Sequence, residues 1–285
     1  MELLDRGRDR CVVCGSCFHS SAIVKACLFG LQISADLGGD PAKPYVKLAV
    51  AYSNAGRPRR ALRSLATAQQ HAVPGSRWDH FISLETAQNL VAIGDASSAE
   101  RCLRRVMPSL LALPTTFSAG VLYASCCTLL CKTSTQLDKR GPARSWLRRA
   151  MDVQGDLGLD GPLADSLQLD AQMSSCEGKH HQAKEALQSA ERILSRCETD
   201  EVLKCKVQVD LALTEVRLGE YDPARARLSV ALPALRRRKR DRYSSALLPV
   251  AACALSRIVS PTRRLRRKTR PERMRCCEPA LPPGA

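Results

Sequence analysis

An all-α chain of stacked antiparallel helix pairs is the fold class this sequence predicts. Three observations carry that prediction. Small residues and leucines recur at helical spacing, glycines punctuate the runs, and aromatic residues make up only 4% of the 285 residues while alanine and leucine abound. Such a composition suits closely packed helices and argues against a β-rich fold. The first pair sets the pattern. Tyr45, Leu48, Ala49 and Tyr52 fall at offsets 0, 3, 4 and 7 and form one face of a helix. Gly56 and Pro58 mark a turn, and Ala61, Leu65 and Ala68 form one face of the helix that follows. The alanines stand where two helices come close together, because a larger side chain would push them apart.

The later pairs follow in register. The second has Ala87, Gly94, Ala99 and Leu103, and the third has Ala143, Leu147 and Ala150. The fourth has Ala171, Gly178, Ala183, Leu187 and Ala190, and the fifth has Ala212, Gly219, Ala224, Leu228 and Ala231. The equivalent alanines Ala61, Ala99, Ala143, Ala183 and Ala224 are separated by 38, 44, 40 and 41 residues. The first helix of the third unit fits least well, and SAGVLYASCCTLLCKTSTQLDKRG is expected to hold a long polar turn. Breaks are expected at residues 38–44, 73–77, 113–116, 157–162 and 197–201, where Gly, Pro or polar residues cluster. Three regions result: an irregular N-terminus with a capping helix at residues 1–37, a repeat domain at 38–259, and a basic, disordered tail at 260–285. The segment 21–37 either caps the stack or completes an upstream unit. Residues 243–258 are apolar again and read as a sixth first helix or a C-terminal cap, with Pro249 expected to kink it. The tail is unlike the body, as if the natural sequence stopped near Ile258 in a truncated gene model.

Charge is unevenly placed. The net charge is +16, and residues 236–275 hold 15 Lys or Arg against Asp241 and Glu272, a net of +13 that leaves about +3 for the rest. The runs RRRKR at 236–240 and RRLRRK at 263–268 fit a contact with nucleic acid or importin, or a solvated tail without a partner. No run of ~18 uncharged apolar residues predicts a membrane span. The opening MELLDRGRDR lacks the apolar core of a signal peptide.

The fourteen cysteines form no even framework of spaced pairs. Cys102, Cys126, Cys127, Cys131, Cys176, Cys205 and Cys253 lie in predicted helices and read as small buried residues of a reducing compartment. Cys11, Cys14 and Cys17, with His19 and Cys27 nearby, lack the second separated ligand pair of a zinc site, so no metal is assigned. His180 and His181 are adjacent at a predicted turn, point about 100° apart if helical, and are expected to be exposed. Gly38 and Gly39 are followed by Asp40 and Pro41 rather than by a phosphate-binding lysine, and no G-x-S-x-G occurs. No nucleophile–base pair is legible, so neither an enzyme nor a cofactor is expected.

The repeat resembles the tetratricopeptide (TPR) family over about 200 residues, with units longer than that family's ~34-residue period. The resemblance implies a right-handed superhelix of about five antiparallel helix pairs acting as a protein-binding scaffold, with the first helices lining a concave face. Ala49, Tyr52, Ala61, Ala99, Ala143, Ala183 and Ala224 are then the repeat-packing positions, and Lys47, Asn54, Gln88, Lys132, Gln172 and Arg217 are candidates to meet a peptide. Lys47 and Asn54 suit part of a carboxylate clamp for chaperone tails, but the second unit offers no matching set. The order of units also resembles the non-catalytic helical region of separases, through residues 47–65, 87–103 and above all 143–194. That resemblance implies a fragment that binds a securin-like inhibitor and acts in chromosome segregation, in cytoplasm and nucleus. The separase catalytic segments have no counterpart here. The alternative is a generic TPR adaptor or co-chaperone in signalling or transport.

Overall fold

A computed structural model describes residues 42–113, 116–196, 201–237 and 242–259. The N-terminal region 1–37, Cys11, Cys14, Cys17, the tail 260–285 and most of the basic segment lie outside the described residues. Those described form helices and no strand, in the order α1 (Ala42–Asn54), α2 (Pro58–His71), α3 (Arg77–Ala92), α4 (Ala96–Leu111), α5 (Phe117–Gln136), α6 (Arg140–Asp156), α7 (Asp160–Cys176), α8 (His180–Arg196), α9 (Glu201–Leu218), α10 (Tyr221–Arg237) and α11 (Arg242–Val259). Each odd-numbered helix from α1 to α9 packs on the even-numbered one after it, and the pairs stack in chain order. The fold is an all-α, TPR-like superhelix of five antiparallel helix pairs followed by one further helix.

Each pair closes with the same turn. Gly56, Gly94, Gly178 and Gly219 have φ between 71° and 86°, a left-handed conformation that costs glycine little. The next residue's N–H reaches back to the carbonyl four residues before the glycine, as in Arg57 to Tyr52 at 2.9 Å and Glu220 to Glu215 at 2.9 Å. In the third pair Asp138 takes this position with φ 56°, and Lys139 bonds Ser134 at 2.8 Å. The long polar turn expected in this pair is therefore absent. Helix α5 runs on to Gln136, with Thr133 and Thr135 returning their hydroxyls to carbonyls of the preceding turn. The break expected at 157–162 is likewise shorter, because α7 already starts at Asp160. Ser76, Asp95 and Thr116 cap the helices that follow them by accepting from backbone N–H groups.

The alanines sit at the crossings. Ala61, Ala99, Ala143, Ala183 and Ala224 are fully buried in the second helices, as are Ala49, Ala87 and Ala212 in the first; Tyr52 is half-buried against the first core cluster. Seven residues before each turn residue the first helices carry Ala49, Ala87, Cys131, Ala171 and Ala212, so Cys131 is the small residue of the third unit. Leu65, Leu103, Leu147, Leu187 and Leu228 fill the space beside the crossings. Helix α11 packs on both α9 and α10, the relation a sixth first helix would have, and continues through Pro249, which faces outward.

Ion pairs join units at one repeated place. The residue after the buried second-helix alanine is Glu100, Arg144 and Lys184 in units two to four. Glu100 accepts from Lys139 at 2.7 Å, Arg144 donates to Glu177 at 2.9 Å, and Lys184 pairs with Glu220. Every partner lies at the turn of the next unit. In the first unit Leu62 stands there, and no ion pair spans that junction at this place among the described residues.

Candidate functional site

The inner face of the stack follows from which helices approach one another. The first helices α1 and α3, α3 and α5, and α7 and α9 lie against their neighbours, and Cys131 of α5 meets Met173 of α7 at 3.9 Å. Successive second helices show no comparable approach. A stack that is tighter on one side curves toward that side, so α1, α3, α5, α7 and α9 line the concave face.

The six candidate contact residues fall into two groups. Lys47, Asn54 and Gln88, on α1 and α3, are exposed and make no side-chain hydrogen bond or ion pair among the described residues. Lys132, Gln172 and Arg217, on α5, α7 and α9, are each tied to a neighbouring helix. Lys132 donates to Asp165 at 3.4 Å, Gln172 to Asp210 at 3.2 Å, and Arg217 to Ser175 at 2.7 Å. Lys206 of α9 also donates to Asp165 at 3.3 Å, and Gln168 donates to Asp210. A polar ladder thus crosses α5, α7 and α9. Burial opposes the charge on Asp165, but Lys132 and Lys206 outweigh it and hold the carboxyl below the usual carboxylate range.

Glu85 of α3 is in the opposite state. Burial alone pushes its carboxyl up to about 7, and no cation answers it. Asn89, one turn along, is fully buried; its Nδ2 donates to the Glu85 carbonyl at 2.8 Å and its Oδ1 has no partner. Nothing in the linear pattern marked this pair. Aligning the first helices on their turn residues would have shown Glu85 at the position of Lys47 and Asp210.

Behind the concave face, α8, α9 and α10 share a charged knot. Arg227 donates to Glu215 at 2.9 Å and to Glu191 at 2.7 Å, and the Glu215 side chain is 1% exposed. The thiols carry no chemistry of note. Burial pushes Cys126 up to about 12 and Cys127 and Cys131 up to about 11, so they stay protonated. Cys102 and Cys205 are only half-buried and Cys176 and Cys253 are exposed, so these four are not the buried thiols expected of them. His180 and His181 open α8; His181 is exposed, but His180 is half-buried, against expectation. Among the described residues no cluster of metal-ligating side chains occurs, and no helix is long and apolar enough to cross a membrane.

Solved structures share this architecture. BtubC (BKLC) from P. vanneervenii is 13% identical, with a TM-score of 0.60 over 75% of this chain and 90% of that one. A putative kinesin light chain with nearly identical TPR-like repeats from Podosopora anserina is 16% identical, with a TM-score of 0.53 over 70% of this chain and 96% of that one. A chain of the APC/C hetero-tetramer Cut9-Hcn1 is 15% identical, with a TM-score of 0.60 over 86% of this chain and 45% of its own. At such identities the likeness establishes the TPR-like fold. No protein-family profile and no curated protein matches the sequence.

Proposed function

We propose that this chain is a non-enzymatic protein-binding scaffold that holds an extended peptide segment along its concave face. The observation that carries this reading is the split in the first-helix lining. Lys47, Asn54 and Gln88 are exposed without partners, while Lys132, Gln172 and Arg217 are already satisfied by neighbouring helices. Polar groups left unpaired on a preformed curved surface are suited to an incoming backbone and its side chains. Contact therefore concentrates on α1 and α3, and the ladder at α5 to α9 keeps the curvature fixed.

Site-specific photo-crosslinking tests this. A photoreactive residue at Lys47 or Gln88 should capture a partner, and one at the exposed outer positions Arg101 or Arg148 should not. Capture from the outer positions alone would overturn the reading. Paired replacement of Lys47 and Gln88 by alanine should weaken binding more than either alone.

The finer assignment is to a regulatory helical segment of a separase with a securin-like inhibitor as partner, and it rests on the resemblance of residues 143–194. A generic TPR adaptor or co-chaperone fits the same face. Peptide mapping of the crosslinked partner separates them: a securin-like segment from dividing cells selects the first, and chaperone C-terminal tails select the second. Residence in cytoplasm and nucleus, and contact with nucleic acid or importin through residues 236–275, belong to the same proposal. Retention on heparin by the full chain but not by a 260–285 deletion would support the basic contact, and equal retention would remove it.

A further inference from the structure

The five first helices can be compared position by position once they are aligned on the turn residues Gly56, Gly94, Asp138, Gly178 and Gly219. Nine residues before these lie Lys47, Glu85, Leu129, Leu169 and Asp210, so Glu85 of α3 and Asp210 of α9 are equivalent. Asp210 takes its donors from the preceding first helix, from Gln168 and Gln172, which stand ten and six residues before Gly178. On α1 those two places hold Val46 and Val50. The sequence therefore puts a carboxylate on α3 and leaves out the donors that its counterpart has.

Asn89 adds an independent sign of the same shortage. Its amide orientation is fixed, because Nδ2 donates to the Glu85 carbonyl at 2.8 Å. Its Oδ1 then lacks a donor although the residue is fully buried. Residues four apart on a helix share one face, about 5–6 Å between Cβ atoms. Two acceptors thus stand one above the other on α3, and this chain supplies neither with a donor. A guanidinium presents five N–H groups in a planar fork and remains charged when taken out of water, so it can serve both at once.

Resting on the concave-face reading, we propose that α3, beside α1, is the anchor for an arginine side chain of the bound partner segment, held by the Glu85 carboxylate and Asn89 Oδ1. Lys47 and Gln88 lie next to the anchor along the same first helices and flank it as contacts to the partner backbone. Burial of the Glu85 carboxyl strengthens an incoming ion pair, because the partner's charge replaces solvent that the site has already excluded.

The test uses the full chain and a fluorescent nonapeptide, Gly-Gly-Ser-Gly-Arg-Gly-Ser-Gly-Gly, at low salt. Its counterparts carry citrulline or lysine at the central position. The arginine probe should bind, the citrulline probe should bind at least tenfold more weakly, and lysine should fall between. Glu85→Gln should weaken the arginine probe at least tenfold while the protein melts no lower than the parent. Asn89→Ser should give a smaller loss. Equal binding of the arginine and citrulline probes would overturn the proposal, as would an unchanged Glu85→Gln or no binding of the arginine probe at millimolar concentration. If deleting residues 260–285 raises probe affinity tenfold, the occupant is this chain's own arginine-rich run, and the partner assignment fails. If Glu85→Gln is unchanged while Lys47→Ala and Gln88→Ala weaken the probe, the anchor fails and the groove reading stands.

Discussion

The two ends of the stack use one geometry and two chemistries. In units one and two the core is aliphatic and aromatic. Val46, Ala49, Leu65 and Ile82 cluster with Tyr45, Tyr52, Trp78 and Phe81, Tyr45 stacks on His71, and Trp78 meets Phe81 edge-on. In units four and five the crossings keep their alanines, but charge surrounds them: the Asp165 and Asp210 ladder inside, the Lys184–Glu220 link between units, and the Arg227–Glu215–Glu191 knot behind. Crossing geometry is set by small residues and tolerates either filling. What changes is the polar balance of the concave face. The charged end satisfies itself, and the aromatic end keeps acceptors and donors unmatched. The end suited to a partner is thus the one whose own structure does not depend on the groove's polar groups.

The largest effect that can break this contrast is at Arg227. Arg227→Ala leaves the Glu215 carboxylate buried without its cation and should destabilise the chain by about 3 kcal/mol in denaturant unfolding. At the other end, Arg60 lies 6.0 Å over the exposed side of Tyr52, and Arg60→Ala should cost below about 1 kcal/mol. Equal losses at the two positions would show that charge does not hold the C-terminal units.

Next in size is a substitution that should not distinguish the ends. Ala61 and Ala224 are both fully buried at crossings. Ala61→Leu and Ala224→Leu should each cost about 1–3 kcal/mol by forcing helices apart. A difference between them larger than the range itself would mean that the surroundings, and not the crossing, set the tolerance.

Glu85 gives a smaller effect with a definite pH signature. Its carboxyl is raised from 4.5 to about 7 in the folded chain. Below pH 4.5 both folded and unfolded forms are protonated and the group is neutral toward folding. Between pH 4.5 and 7 the unfolded chain loses the proton first, so stability falls as pH rises, and above 7 the loss is complete. Glu85→Gln should abolish that slope and stabilise the free protein at pH 8 by about 1–2 kcal/mol. Thermal melts of the parent and variant from pH 4 to 8 measure it. A variant that stabilises the free protein yet weakens a bound arginine is the pattern of a site kept at some cost to the fold.

The sequence displayed the crossings plainly, because the closest approach of two helices admits few side chains and Ala61, Ala99, Ala143, Ala183 and Ala224 repeat there. It hid the first helix of the third unit, because Cys131 replaces the alanine and Asp138 the turn glycine; each does the physical work of the residue it replaces, but neither matches by name. The exposed faces of α1 and α3 were legible from helical phase alone. Those of α5, α7 and α9 were not: Lys132 meets Asp165 and Arg217 meets Ser175 only once the stagger between neighbouring helices is known. Glu85 and Asn89 were hidden for a related reason, since a missing donor is visible only against an equivalent pair that has one.

The smallest effect concerns the links between units. Lys184 on α8 pairs with Glu220, whereas the equivalent link two units earlier has the signs exchanged, with Glu100 on α4 and Lys139 at the next turn. Geometry at this place therefore accepts either polarity, and what counts is opposition. Lys184→Glu alone sets like charges across the junction and should cost about 0.5–1 kcal/mol, and adding Glu220→Lys should restore most of it. Because both side chains are partly solvated, the loss should shrink as salt is raised toward 1 M, where the Debye length falls to about 3 Å. The junction between units one and two has Leu62 at that position and no ion pair there, so salt should leave its stability unchanged. A fragment-resolved hydrogen-exchange experiment at low and high salt compares the two junctions in one molecule. Faster exchange with added salt at α8 to α10, with α1 to α3 unaffected, would confirm that the C-terminal units are latched by charge. Equal responses at both ends would reduce the contrast to the Arg227 knot alone.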